Sequence, residues 1–277
     1  MTSGSPGRLI ILFAIPLMLG NICQQLYTMV DTMVVGQIAG VEALAALGAV
    51  DFLLWVVTGI STGLTQGFSI QLAQYYGAKD FENLRKSLAH SYRLTAFIAV
   101  GVFILSQSFA ALVLTGLHTP SNIIGMSLLY LRIIFCGIPA TAAYNMFAAA
   151  LRAMGNSKTP LSAMIIASVL NISLDILFVA GFGWGVAGAA IATVIAQSFS
   201  AVYCFLILRR IDIVHLSRAD FMTAAGMNAR LMKLGIPVVF QNIIIGVGGL
   251  VVQYVILSLI HISSVIFSIS SPSFAIT

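Results

Sequence analysis

Seven long apolar runs constrain the fold of this chain more than any other feature of its sequence. Each run reaches the roughly 20 residues that an α-helix needs to cross a bilayer. Only 8% of the residues are charged, far fewer than the roughly 25% of soluble domains. The sequence therefore predicts an all-α polytopic membrane protein. The runs cover about residues 9–35, 43–76, 88–115, 122–150, 160–180, 186–208 and 232–256.

Basic residues follow every second apolar run. The segments after the second, fourth and sixth runs contain Lys or Arg, whereas those after the first, third and fifth (QIAGVEA, GLHTPSN and GFGWGVAG) contain none. Because cytoplasmic loops of membrane proteins are enriched in Lys and Arg, this alternation predicts a multi-pass plasma-membrane protein with a cytoplasmic N-terminus. The net charge of +5 is then an orientation signal and gives no support to nucleic-acid binding.

A short repeat divides the chain into lobes. Pro16 and Asn21 in the first run recur as Pro237 and Asn242 in the seventh, both at an offset of 221 residues. Parallel repeats of this kind are common in transporters. We therefore predict a six-helix N-terminal lobe at 1–208, a cytoplasmic inter-lobe linker at 209–231, the first helix of a second lobe at 232–256, and a tail at 257–277.

The tail at 257–277 contains seven serines and no charged residue, and it does not match the corresponding part of the first lobe. A complete repeat would give six helices in each lobe. We therefore expect a chain that is truncated after about the seventh helix.

Two carboxylates lie inside apolar runs without a basic partner nearby in the sequence. Asp175 is in the outer half of its run, and Asn171 is on the same helix face, since residues four apart are neighbours on a helix. Asp31, Tyr130 and Thr193 fall at a similar depth in other runs. Oxygen atoms of these groups can hold a proton or Na⁺. An acid inside a membrane is usually functional, although polar side chains can also link helices by hydrogen bonds.

Each of four further residues in the runs can be interpreted in two ways. Asp51 and Arg132 lie at similar depths, so they either form a structural ion pair or find water and backbone partners separately. Met33 and Met146 either line a cavity that accepts varied ligands or pack against lipid and core. The three cysteines stand singly, without the spacing of a metal site.

Four motifs resemble the MATE (multidrug and toxic compound extrusion) family of cation-coupled exporters. They are LYTMVDTMVVGQIAGVEALAALG, QLAQYYGAKD, ALRAMGNSKTP and NISLDILF, and the resemblance covers about residues 9–256. It implies one six-helix lobe, plus the first helix of the other, from a twelve-helix transporter with a central cavity. It also implies export of drugs or organic cations by H⁺ or Na⁺ antiport across a lipid bilayer, with no enzymatic chemistry and no cofactor besides the coupling ion.

The resemblance also implies positions for the coupling-ion site. The site would use Asp31, Asn171 and Asp175, with Tyr130 and Thr193 around them. Asn145 also matches a polar position of the family. Because it lies about 22 Å along the helix from Tyr130, it belongs below the site or to a wider network.

Three other functions compete with antiport. A related flippase for lipid-linked sugars should line its cavity with Arg and Lys, but Arg132 is the one such residue deep inside a run, since Arg93 and Lys233 lie near the ends of theirs. An intramembrane protease could use two Asp residues, but no supporting motif accompanies them. A transport-inactive fragment would insert into the membrane and do nothing further.

Overall fold

The computed structural model describes residues 6–117, 119–222 and 226–270, and every regular secondary-structure element in this part of the chain is a helix, as predicted. The predicted tail at 257–277 continues the last helix as far as Ser270, and residues 271–277 lie outside the described part. The eight α-helices are α1 (Pro6–Val34), α2 (Val41–Gly77), α3 (Phe81–Gly116), α4 (Ile124–Cys136), α5 (Ile138–Ala153), α6 (Lys158–Asp175), α7 (Gly185–Arg209) and α8 (Met227–Ser270).

Four short helical segments join these helices. A π-helical segment, Val35–Ala39, follows α1, and another, Ile176–Gly181, follows α6. Two 3₁₀ turns, Asp212–Val214 and Arg218–Phe221, lie between α7 and α8. They fall within the predicted linker at 209–231.

The predicted fourth span is broken in the middle. α4 and α5 meet at Gly137 with a bend of 46°. Pro139 begins the new helix, and because proline lacks an N–H group it cannot donate the backbone hydrogen bond that would continue α4. The Gly137 N–H donates instead to the Ile134 carbonyl, at 2.9 Å. The sequence predicted the position of this fourth span, and Pro139 explains why the helix is broken there.

The helices are long and apolar enough for a multi-pass membrane protein. Within the described residues, five of them could each span a bilayer, and the bent pair α4–α5 makes six. α1 is also long enough, at 29 residues, but it falls outside this set.

The connecting segments gather at two ends of the helix bundle. At one end, Asn122 Nδ2 donates to Glu42 Oε1 at 3.3 Å, which joins the connections after α1 and α3. At the other end, Arg230 Nη1 donates to the Tyr75 hydroxyl at 3.3 Å. The connections that carry Lys and Arg lie at this second end, which we call the basic end.

Glycines allow α2 and α8 to pack with their backbones in contact. Gly59, Gly63 and Gly67 are spaced four residues apart on one face of α2. A Cβ atom at Gly67 would lie 2.3 Å from Gly235 Cα, so no side chain fits at this crossing. Small residues at such spacing are typical of close helix pairs in membranes. α8 is therefore held along α2, beside the cavity described next.

Candidate functional site

A cavity of about 590 Å³ lies between the two buried apolar clusters of the helix bundle. Cavities of roughly 300–1,000 Å³ hold drug-sized ligands. Its lining is rich in hydroxyl and amide groups from several helices, and in the described part of the chain it includes neither Lys nor Arg. The polar lining includes Gln24, Gln25, Thr28, Asp51, Thr58, Thr62, Gln66, Tyr130, Asn145, Asn171, Thr193, Gln197 and Asn242.

Asp31, Asn171 and Asp175 form a buried polar cluster, which we call the acidic cluster. Their exposed fractions are 7%, 1% and 0%. α1, which carries Asp31, packs against α6, which carries the other two. The carboxylate of Asp175 lies close enough to that of Asp31 for their charges to interact. Packing of α1 on α6 therefore brings together two acids that are 144 residues apart in the sequence.

The acidic cluster has few hydrogen bonds. Among the described residues, both carboxylate oxygens of Asp175, both polar side-chain atoms of Asn171 and Oδ1 of Asp31 have no partner. Leaving a buried polar group without a partner costs roughly 1–3 kcal/mol, and more if it is charged. Such an arrangement suits a site that takes up a proton or a small cation. No group of three His, Cys, Asp or Glu that could hold a metal ion occurs in the described part.

Both acids precede a change of helix type. α6 ends at Asp175, and the π-helical segment Ile176–Gly181 follows at once. α1 continues into its own π-helical segment, which begins four residues after Asp31. Short π-helical segments inside helices are frequent at functional sites. The sequence analysis did not predict either segment.

Tyr130 and Thr193 lie in the cavity wall near this cluster. Tyr130 is buried, and its hydroxyl lies within electrostatic range of the carboxylates of Asp31, Asp51 and Asp175. Thr193 is half-buried on α7. Asn171 is the member of the acidic cluster that lines the cavity, whereas the two carboxylates lie behind the wall.

Asn145 belongs to the polar wall, but the two methionines do not. Asn145 Nδ2 donates to the Thr62 hydroxyl at 3.1 Å, across the α5–α2 contact. Met33 is 51% exposed and Met146 is buried in the apolar core, and neither lines the cavity. The structure therefore gives no support to the cavity-lining interpretation of these methionines. Met33 lies two residues from Asp31, which turns it to the opposite face of α1.

The suggested ion pair between Asp51 and Arg132 is not formed. Among the described residues, no salt bridge joins these two side chains. Asp51 lines the cavity, whereas Arg132 is exposed and does not. Because Tyr130 faces the cavity, Arg132, two residues further along α4, points to the other side. Asp51 is thus an acid of the cavity wall without a basic partner within 4.0 Å.

Two residues next to the predicted ones were missed. Tyr27 lies one turn before Asp31, and Gln197 lies one turn after Thr193; both line the cavity. Oε1 of Gln197 is buried without a hydrogen-bond partner among the described residues. The signal that could have found both is their four-residue spacing from a predicted site residue.

Comparisons with known proteins identify the family. A model of the MatE family matches residues 16–177. The probable multidrug resistance protein YpnP of Bacillus subtilis (strain 168) is 30% identical over 255 residues, which are 92% of this chain and 57% of YpnP. The chain thus spans about half the length of the curated relatives it matches.

Two solved structures share the fold over 86% of this chain and 53% of their own. Each has a TM-score of 0.81 and 26% sequence identity. One is an outward-facing multidrug resistance MATE family transporter of the MOP superfamily. The other is a MOP superfamily transporter from Pyrococcus furiosus Vc1 (DSM3638), for which a reversed polarity of the binding pocket suggests a different function. With the family model matching more than half of its residues, the chain belongs to the MATE family of multidrug transporters, and it is a multi-pass membrane protein rather than an enzyme.

Proposed function

We propose that this chain forms the cation-coupling lobe of an antiporter that exports drugs or organic cations in exchange for H⁺ or Na⁺. One observation carries the proposal: two buried carboxylates with unpartnered oxygens lie behind the wall of a cavity of drug-sized volume. In this proposal Asp31 and Asp175 hold the ion. Asn171 orients it from the same face of α6, and Tyr130 and Thr193 complete the surroundings.

Ion binding changes the electrostatics between α1 and α6. Two ionised carboxylates repel each other more strongly in a low-dielectric site than in water. A proton or Na⁺ held between Asp31 and Asp175 removes this repulsion. Because the two acids belong to different helices, loading and release of the ion alter the packing of α1 on α6. Pro16 interrupts the hydrogen bonding of α1, so this helix can bend.

Exchange requires that the ion and the drug favour different states of the protein. A ligand shifts a conformational equilibrium only by its difference in affinity for the two states. In the proposed cycle, ion binding favours the state that releases drug outward. Release of the ion inside the cell returns the cavity to a state that binds drug.

The basic end of the helix bundle faces the cytoplasm in this proposal, so the N-terminus is also cytoplasmic. Cysteine labelling tests the orientation after Cys23, Cys136 and Cys204, which form no disulfide, are replaced by serine. Lys79→Cys should react with a membrane-impermeant reagent from the inside, and Thr119→Cys from the outside. Labelling of both from the same side would contradict the orientation.

The second candidate is the flippase, whose substrate would be an anionic lipid-linked sugar phosphate. A different function is suggested for the Pyrococcus transporter of the same fold by the reversed polarity of its binding pocket. An anion needs positively charged partners. Among the described residues, no Lys or Arg belongs to the lining of this cavity, whereas Asp51 does. This charge distribution favours a cationic substrate.

Direct ion binding tests the proposed site. The purified chain in lipid nanodiscs is titrated with ²²Na⁺, and proton release is followed in the same samples. Asp31→Asn and Asp175→Asn should each abolish saturable Na⁺ binding or the coupled proton release. Asp212→Asn, at an exposed acid of the basic end, is the matched control. Unchanged ion binding in both variants of the acidic cluster would disprove the proposal.

A further inference from the structure

We propose that Asp51 and Trp55 form a binding subsite for organic cations in the cavity wall, separate from the acidic cluster. This inference rests on the proposed function, because it names the residues that would select the exported substrate. Asp51 was expected either to pair with Arg132 or to find water or backbone partners separately. No salt bridge joins the two among the described residues, and Asp51 lines the cavity.

One face of α2 forms the subsite. Asp51, Trp55, Thr58 and Thr62 recur at three- and four-residue spacing, and all of them line the cavity. Residues at this spacing project from the same side of a helix. A carboxylate and an indole ring thus stand one turn apart on the same wall, with hydroxyl groups further along it.

Exposure separates Asp51 from the other two acids. Asp51 is open to the cavity, whereas Asp31 is 7% exposed and Asp175 is 0% exposed. A bulky organic cation cannot reach carboxylates behind the wall, but a proton or a Na⁺ ion can. Size alone therefore assigns small ions to the acidic cluster and organic cations to Asp51.

Trp55 supplies the second recognition element. Its side chain is 52% exposed and faces the cavity. The face of an indole ring attracts cations, including quaternary ones that donate no hydrogen bond. The chemistry of the pair thus fits a monovalent lipophilic cation with its charge near Asp51 and its apolar groups near Trp55.

Tyr130 lines the cavity together with Asp51. Its hydroxyl lies within electrostatic range of the carboxylates of Asp51, Asp31 and Asp175.

Two ions of the same shape and opposite charge test the subsite. Tetraphenylphosphonium and tetraphenylborate are bound at equilibrium to the full chain in nanodiscs, and binding to empty nanodiscs is subtracted. Asp51→Asn should weaken tetraphenylphosphonium binding about tenfold or more, as loss of a charged partner does, without weakening tetraphenylborate binding. Asp51→Glu should retain the preference for the cation.

Trp55 variants test whether the indole ring contributes to cation binding at the subsite. Trp55→Leu should weaken tetraphenylphosphonium binding about three- to tenfold, and Trp55→Phe should weaken it less. A Trp55 that merely anchors the chain at the membrane interface would affect both ions alike. Such an equal effect, or none, would overturn its assignment.

Three results would overturn the subsite as a whole. They are absence of saturable tetraphenylphosphonium binding by the unmodified chain, unchanged binding in Asp51→Asn, and equal loss of both ions in Asp51→Asn and Asp51→Glu. None of these results tests the proposed coupling site, because Na⁺ binding and proton release at Asp31 and Asp175 are separate measurements.

Discussion

Two buried polar regions of this protein differ in whether their polar groups have hydrogen-bond partners. In the acidic cluster, five oxygen or nitrogen atoms of Asp31, Asn171 and Asp175 lack hydrogen-bond partners among the described residues. Towards the basic end, His90 is equally buried, at 1% exposure, but both ring nitrogens have neighbours. Nδ1 lies 2.7 Å from Asn228 Oδ1, and Nε2 lies 3.4 Å from the Met222 carbonyl oxygen. We call this second region the His90 contact.

The His90 contact joins parts of the chain that are far apart in the sequence. It attaches α3 to the start of α8 and to the connection before it, and Arg93 Nη1 donates to the Phe221 carbonyl oxygen at 3.4 Å in the same place. Ser87 and Ser91 nearby lack partners in the described part, but neutral hydroxyls are less costly to bury than carboxylates. The comparison teaches that buried polar groups with partners join helices here, whereas the acidic cluster leaves buried carboxylate oxygens without partners, as the proposed ion site requires.

The largest expected effect comes from neutralising the acidic cluster. Asp175→Asn and Asp31→Asn should each reduce cation-coupled efflux to background, because Asn keeps the size of the side chain but removes the charge that binds the ion. The measurement is drug efflux from vesicles under an imposed H⁺ or Na⁺ gradient, with this chain fused to the part of YpnP that it does not match. Asp212→Asn should transport normally. Near-normal coupling in both cluster variants would make these acids structural, like His90.

The neutral members of the site should contribute less. Asn171→Ala removes an amide next to a charged group, so we expect the ion concentration for half-maximal efflux to rise about tenfold. Thr193→Ala removes a hydroxyl from the cavity wall and should raise it about two- to threefold. A larger effect of Thr193→Ala than of Asn171→Ala would show that the ion binds in the cavity wall and not between α1 and α6.

Disrupting the His90 contact should lower stability without altering ion affinity. His90→Leu removes the contacts of the ring with Asn228 Oδ1 and the Met222 carbonyl, and the loss of a hydrogen bond should destabilise the folded chain by about 0.5–1.5 kcal/mol. The measurements are thermal unfolding in detergent and ²²Na⁺ binding below the unfolding temperature.

Asn228→Ala is the matched variant for His90→Leu. Because both changes remove the same contact, the double variant should be less destabilised than the sum of the single ones. Loss of Na⁺ affinity in a fully folded His90→Leu variant would show that the His90 contact and the acidic cluster are not independent.

The smallest expected effect concerns a satisfied polar group at the surface. Asp80 caps α3, where Oδ2 accepts from Asn83 Nδ2 at 2.7 Å and Oδ1 accepts from the Asn83 N–H at 3.2 Å. The side-chain hydrogen bond from Asn83, and then the backbone one, hold the pKa of Asp80 below its usual 3.8. The cap's charge-dependent stabilisation is therefore present above that pH and is lost as the pH falls through the lower folded value.

Asp80→Ala should lower the unfolding temperature slightly at pH 7. Asp80→Asn should retain most of the cap, because Asn is also a favourable N-cap residue. The difference between the wild type and Asp80→Asn should shrink as the pH is lowered below 4. A difference that grows on acidification would contradict the assigned direction of the pKa.

Local features of the sequence determined the membrane class, the positions of the apolar helices and the alternation of basic connections. They also placed Asn171 and Asp175 on one helix face, because the spacing of side chains on a helix is set by its own geometry. The break of the fourth span follows from a local cause, the missing N–H of Pro139. These conclusions need no knowledge of which helices are neighbours.

Only the tertiary structure decided which helix faces meet. Packing of α1 against α6 places Asp31 beside Asp175, and the rotation of α2 and α4 turns Asp51 into the cavity and Arg132 away from it. Met33 faces outwards for the same kind of reason. The orientation of each helix about its axis results from side-chain packing between segments distant in sequence. The periodicity of a single apolar run says little about that packing, because nearly every face of such a helix is apolar.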